Sequence, residues 1–114
     1  MDIPPDSQIL RIFIGEAARL GHQPLHEAIV LKAREMHLAG ATVTRGMMGF
    51  GKSSRLHTAK ILRLSDDLPL VIEIVDSAGK IGAFLPVLDT MMPAGLATVE
   101  DVRAICYRGV APKA

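Results

Sequence analysis

Only one cysteine, Cys106, occurs in 114 residues, so no disulfide can form within the chain. Burial and hydrogen bonding must hold the fold. Tryptophan is absent, and aromatic residues make up 4% of the chain: Phe13, Phe50, Phe84 and Tyr107. No apolar run approaches the ~20 residues of a helical membrane span. The start, "MDIPPDSQ", has neither the basic end nor the apolar stretch of a signal peptide. Charge of either sign is in little excess. At a net +1 the whole protein is not a polyelectrolyte binder. These absences lead us to expect a soluble cytoplasmic protein with no covalent cofactor and no direct membrane insertion.

One absence is local. No acidic residue lies between Glu35 and Asp66. The same window holds Arg45, Lys52, Arg55, Lys60, Arg63, His37 and His57, with Gly46, Gly49 and Gly51 among them. Cationic side chains around glycines that expose backbone N–H groups form an anion site. A solvated loop is the plainer alternative.

What the chain does have is apolar residues. They make up 49% of it, and the mean hydropathy is +0.30. A domain this small keeps much of its surface in water. That excess therefore points to surface buried between subunits.

The elements follow from pattern. "QILRIFIG", residues 8 to 15, reads as a strand, and residues 16 to 23 as a link. Pro24 suits the first position of a helix. Leu25, Ala28, Ile29, Ala33 and Met36 give that helix one buried face, and Gly40 is its expected stop. "ATVTRGMM", residues 41 to 48, is a second strand. "KILRL" and "LPLVIEIVD", residues 60 to 64 and 68 to 76, read as a strand pair joined by a turn at Asp66 and Asp67, or as one bent ribbon. Asp76 and Ser77 cap a second helix buried through Ile81, Phe84, Leu85, Leu88 and Met92. Pro86 conflicts with that helix and should kink it. Residues 96 to 108 make the last strand, with Cys106 expected as a buried thiol. The fold class is α+β: one ferredoxin-like βαββαβ domain over residues 1 to 114, its core spanning roughly residues 8 to 108. Two helices cover one face of a four-stranded antiparallel sheet. The other face needs a partner.

"GMMGFGKS", residues 46 to 53, satisfies the pattern of a nucleoside triphosphatase loop. Such a loop joins a strand to a long helix in a parallel sheet. Here "ILRL" and a turn follow within a few residues, and no further βα units exist. A small nucleotide-hydrolysing enzyme using this loop is one alternative. An RNA-binding ferredoxin-like module is another, since "IFIGE" resembles one of its two motifs. The aromatics of the second motif are missing, which leaves no nucleic-acid partner expected. Neither His22 with His26 nor Ser53, Ser54 and His57 makes a convincing metal or catalytic set, so no metal and no catalytic residue is expected.

Longer strings carry a family resemblance. "LRIFIGE", "PLHEAIVLKAREMHLAGATVTRGMMGFG", "SSRLHTAKILRLSDDLPLVIEIVD" and "FLPVLD" resemble the PII-like proteins catalogued as domain of unknown function 190. These are related to the nitrogen-regulatory PII signal proteins. The resemblance implies a trimer of ferredoxin-like subunits that binds an adenine nucleotide (AMP, ADP or ATP) in clefts between subunits and signals to a partner. A membrane transporter or channel is such a partner for many PII proteins. Gly49, Phe50 and Gly51 stand where PII proteins carry G-F-G, and Lys52 and Ser53 stand where those proteins contact phosphate. With Ser54, Arg55, His57, Arg45 and Lys60 they form the expected nucleotide-binding set. The loop is much shorter than in PII proteins, because "ILRL" begins again after Thr58. "GKIG" at residues 79 to 82 falls near the start of a helix, and Arg103 and Arg108 miss the family's spacing after "VEDV". None of these is carried into the site.

Overall fold

A computed structural model describes residues 2–51, 57–58 and 67–107. The expected strand over residues 60 to 64 lies outside them. The first strand, β1 (Asp6–Gly15), alternates between two environments. Leu10, Ile12 and Ile14 are buried, whereas Phe13 is exposed. Period two fixes this, because successive side chains point to opposite faces. The expected plain link contains a small hairpin, β2 (Arg19–Leu20) and β3 (Gln23–Pro24), whose turn places Gly21 at φ 63.

Helix α1 (Leu25–Glu35) buries Leu25, Ala28, Ile29 and Ala33, the face expected from spacing. Pro24 is its N-cap rather than its first residue. The helix also ends before Gly40. His37 takes the left-handed conformation at φ 62 and closes the end. Its N–H donates to the Arg34 carbonyl at 3.1 Å, and the Leu38 N–H donates to Ala33 at 3.0 Å. This is a Schellman closure with histidine where glycine is usual. Lys80 Nζ reinforces it by donating to the His37 carbonyl at 2.6 Å. Exchanging His37 for glycine should therefore stabilise the protein by about 1 kcal/mol, since a β-carbon is unfavourable at positive φ. A raised urea midpoint at unchanged slope is the expected reading.

Four strands build the main sheet. β4 (Ala41–Arg45) stops short of the expected residue 48, and Met48–Gly49 form a separate strand, β5, which pairs with β6 (His57–Thr58). β7 (Pro69–Ser77) and β8 (Leu96–Arg103) complete the set. The order is β4-β7-β1-β8, with every neighbour antiparallel. Between the last two strands runs α2 (Ala78–Met91). Ser77 Oγ accepts the Lys80 N–H at 3.2 Å, as expected of a cap. Asp76 is buried and accepts from the backbone N–H groups of Ala39 and Ser77 at 2.8 and 2.7 Å. It ties the two βαβ halves together.

Pro86 lies inside α2 without ending it. Both Pro86 and Gly82, whose carbonyl the proline leaves unpaired, are exposed, so water can satisfy that carbonyl. "GKIG" is helical, as read from the sequence.

The core lies between the sheet and both helices. Leu10 and Ile12 of β1, Leu70, Ile72 and Ile74 of β7, and Ile81 and Phe84 of α2 form its centre. Met91 joins it in place of Met92, which is half-buried like Leu85. The opposite face carries Phe13 and a charged strip. Arg11 donates to Glu73 at 2.9 Å and to Glu100 at 2.8 Å. The two carboxylates, Glu100 first, raise the guanidinium pKa above its ordinary value. β8 is almost wholly exposed, including Leu96 and Val99, and ends at Arg103, short of the expected residue 108. Cys106 lies beyond it and is exposed, which corrects the buried thiol expected from the apolar sequence around it.

Candidate functional site

The loop that carries the glycines leaves the sheet at one corner. Arg45 ends β4 opposite Leu70, and Gly15 ends β1 opposite Pro69. The Gly46 N–H donates to the Pro69 carbonyl at 2.7 Å, which extends the ladder by one bond. A β-carbon on Gly46 would stand 2.8 Å from Pro69 Cγ, and one on Gly49 would stand 3.2 Å from it. These glycines are therefore needed for close approach to a proline ring. Positive φ is the other conformation a loop glycine can supply. Among the described residues it occurs at Gly21, Gly95 and His37, and at neither Gly49 nor Gly51.

Beyond Gly46 the chain projects. Met47, Met48 and Phe50 are exposed, Phe50 by 70%. Met48 then pairs with Thr58 and Gly49 with His57. A triphosphatase loop would open a helix after Ser53. Residues 57 and 58 instead lie in an antiparallel pair with residues 48 and 49. Of the expected site residues, Gly49, Phe50 and Gly51 lie on this projection, Arg45 stands at its base as the last residue of β4, and His57 is paired with Gly49. Lys52, Ser53, Ser54, Arg55 and Lys60 lie outside the described residues.

The window without acids in the sequence does not stay without them in space. Arg45 Nε and Nη2 both donate to Glu16 Oε1, at 3.2 and 3.0 Å. Glu16 is itself fixed, because its N–H donates to the Leu68 carbonyl at 2.9 Å. Asp67 accepts the Ala17 N–H at 2.6 Å, and its carboxylate fills the space that a β-carbon on Gly15 would need. Glu16 thus reaches the loop base from the end of β1, and Asp67 holds the turn that follows that strand. Nothing local in the sequence announces them, since Glu16 lies 29 positions from Arg45. Only the strand register brings them together.

Shallow cavities lie elsewhere among the described residues. One of about 710 Å³ lies beside the C-terminal half of α2 and the turn at residues 93–95. Another, about 380 Å³, is bordered by His37, Asp76 and Lys80. Among the described residues no group of three or more acidic, histidine or cysteine side chains is placed to hold a metal. No helix among them is long and apolar enough to cross a membrane.

Comparison with known proteins agrees with this architecture. The chain is 37% identical to a UPF0166 protein of Aquifex aeolicus over 98 residues, 86% of this chain and 92% of that one. CPII of Thiomonas intermedia K12, a nitrogen regulatory PII-like protein solved with ADP, AMP and bicarbonate, superposes with a TM-score of 0.61. The identity is 16%, and the match covers 87% of this chain and 88% of CPII. A PII-like signaling protein from Thermus thermophilus, so described from its crystal structure, gives 0.61 at 20% identity over 92% and 94% of the two chains. The profile of domain of unknown function 190, described as an uncharacterized ACR, matches residues 7–104. With that match and the Aquifex relative, the chain belongs to this family, and its fold is PII-like.

Proposed function

We propose that this protein is a cytoplasmic PII-like regulator, acting as a homotrimer, that binds an adenine nucleotide at clefts between subunits. The loop over Gly49 to Arg55 contacts the phosphates. Backbone N–H groups cradle them, while Lys52 and Arg55 neutralise their charge and Arg45, His57 and Lys60 stand at the rim. The signal passes to a protein partner, with a transporter or channel as the class to test first.

The observation that carries the reading is the loop itself. Gly46 and Gly49 pack against Pro69 with Met47, Met48 and Phe50 exposed beside them, and the most cationic stretch of the sequence follows. A protein of the same fold, CPII, is described with ADP and AMP bound. The exposed β8 and the uncovered sheet face, with Phe13 and Leu96 in the open, support a closed oligomer.

Calorimetry with AMP, ADP and ATP tests the binding, and light scattering on the same sample tests the assembly. Saturable binding by a particle near three times 12.2 kDa is expected. A nucleotide at ~100 times its Kd should also stabilise the fold by about 2.7 kcal/mol. A monomer at micromolar concentration, or no heat with any nucleotide, would remove the proposal. Steady phosphate release that is lost in Lys52→Ala would replace it with a hydrolase.

A further inference from the structure

The ion pair between Arg45 and Glu16 sits at the root of the candidate loop. Two of the three guanidinium nitrogens, Nε and Nη2, converge on one oxygen, Glu16 Oε1. They do not spread over two acceptors, as the fork of a bidentate pair does. The Arg45 side chain is 60% exposed and that of Glu16 is 34% exposed. Exposed pairs of this kind contribute little to folding. This one is therefore weak enough to exchange for another anion. The Glu16 backbone, by contrast, is held by Leu68, next to the corner that Asp67 fastens through Ala17. The carboxylate has a fixed base, and the arginine, at the edge of the sheet, is the partner free to turn away. Arg45 is also the residue just before Gly46, where the projecting loop begins.

We propose that Glu16 is a specificity-determining residue of the loop: its carboxylate occupies the Nε and Nη2 edge of the Arg45 guanidinium, and a ligand phosphate must displace it to engage that edge. This rests on the nucleotide-binding reading above. It adds a built-in competitor to the site. A ligand with one phosphate gains little from the exchange, because it trades one carboxylate contact for one phosphate contact. A di- or triphosphate brings more charge to the same guanidinium and gains more from the exchange, reduced by its repulsion from the displaced Glu16 carboxylate. Glu16 thus sets a threshold of ligand charge and geometry, and the cationic count of the sequence overstates the attraction of the loop.

The test is a double-mutant cycle read by calorimetry, with ADP and inorganic pyrophosphate as separate probes on the full chain. The proteins are the parent, Glu16→Gln, Arg45→Ala and the double variant. Glutamine keeps the length of the side chain and its contacts and removes only the charge. Glu16→Gln is expected to bind either probe about two- to fivefold more tightly, the scale of an exposed ion pair. In the Arg45→Ala background the gain should largely vanish, because no guanidinium remains to be freed. Equal affinity of the parent and Glu16→Gln would overturn the proposal. So would an equal gain with and without Arg45, which would make Glu16 a general repulsive charge. If pyrophosphate follows the cycle and ADP binds no better than pyrophosphate, the exchange stands and the nucleotide reading falls. If neither probe binds the parent or Glu16→Gln, both fall.

Discussion

Lys52→Ala combined with Arg55→Ala should reduce ADP affinity by at least about a hundredfold. Each side chain supplies a charged hydrogen bond to phosphate, and such a bond is worth roughly 1.5 to 3 kcal/mol. Each single change should therefore weaken binding by about ten- to a hundredfold. The two are not interchangeable, since lysine offers a point charge and arginine a planar fork. Their effects need not add, because both act on one ligand. Affinity in the parent should also fall as salt rises and grow from AMP to ATP. Lys113, near the end of the chain, is the control, and its replacement should change nothing. Calorimetry at two salt concentrations decides. A double variant that binds like the parent would make the cationic window a solvated surface.

The second large effect concerns stability. Phe84 is fully buried between α2 and the sheet, among the largest side chains with no accessible surface. Phe84→Ala removes that burial and leaves a cavity that the neighbouring Leu10, Ile72 and Ile81 can only partly fill. A loss of about 3–5 kcal/mol is expected, a large share of the stability of a small domain. Chemical denaturation should show an earlier midpoint. A loss below about 1 kcal/mol would mean that the core repacks freely around the site.

The alternation in "QILRIFIG" and "LPLVIEIVD" made both central strands legible, because a one-residue slip would turn their whole apolar set to water. The α1 face was legible for the same reason at helical spacing. Ends were less so. His37, not Gly40, closes α1, because hydrogen bonds from Leu38 and Lys80 compensate a conformation that histidine disfavours. Cys106 sits in an apolar sequence and yet is exposed, since β8 has ended before reaching it. That Gly49, Phe50 and Gly51 follow the second main strand was readable from the sequence. The Glu16 contact was not, because it depends on β1 and β4 finishing at the same end of β7, one on each side of it. Charge counted along a chain does not report charge counted in space.

The ladder between β1 and β8 also bears on how the molecule is made. Asp6 pairs with Arg103, so the two strands enclose nearly the whole chain. Closing so long a loop costs entropy before any of its contacts form. β8 should therefore join last, onto a sheet already assembled from β4, β7 and β1. During synthesis β1 emerges first and waits for its outer neighbour. Its free edge then presents unpaired N–H and C=O groups to other nascent chains. Crowded synthesis is the condition under which this small protein should be most prone to aggregate, however stable the finished sheet.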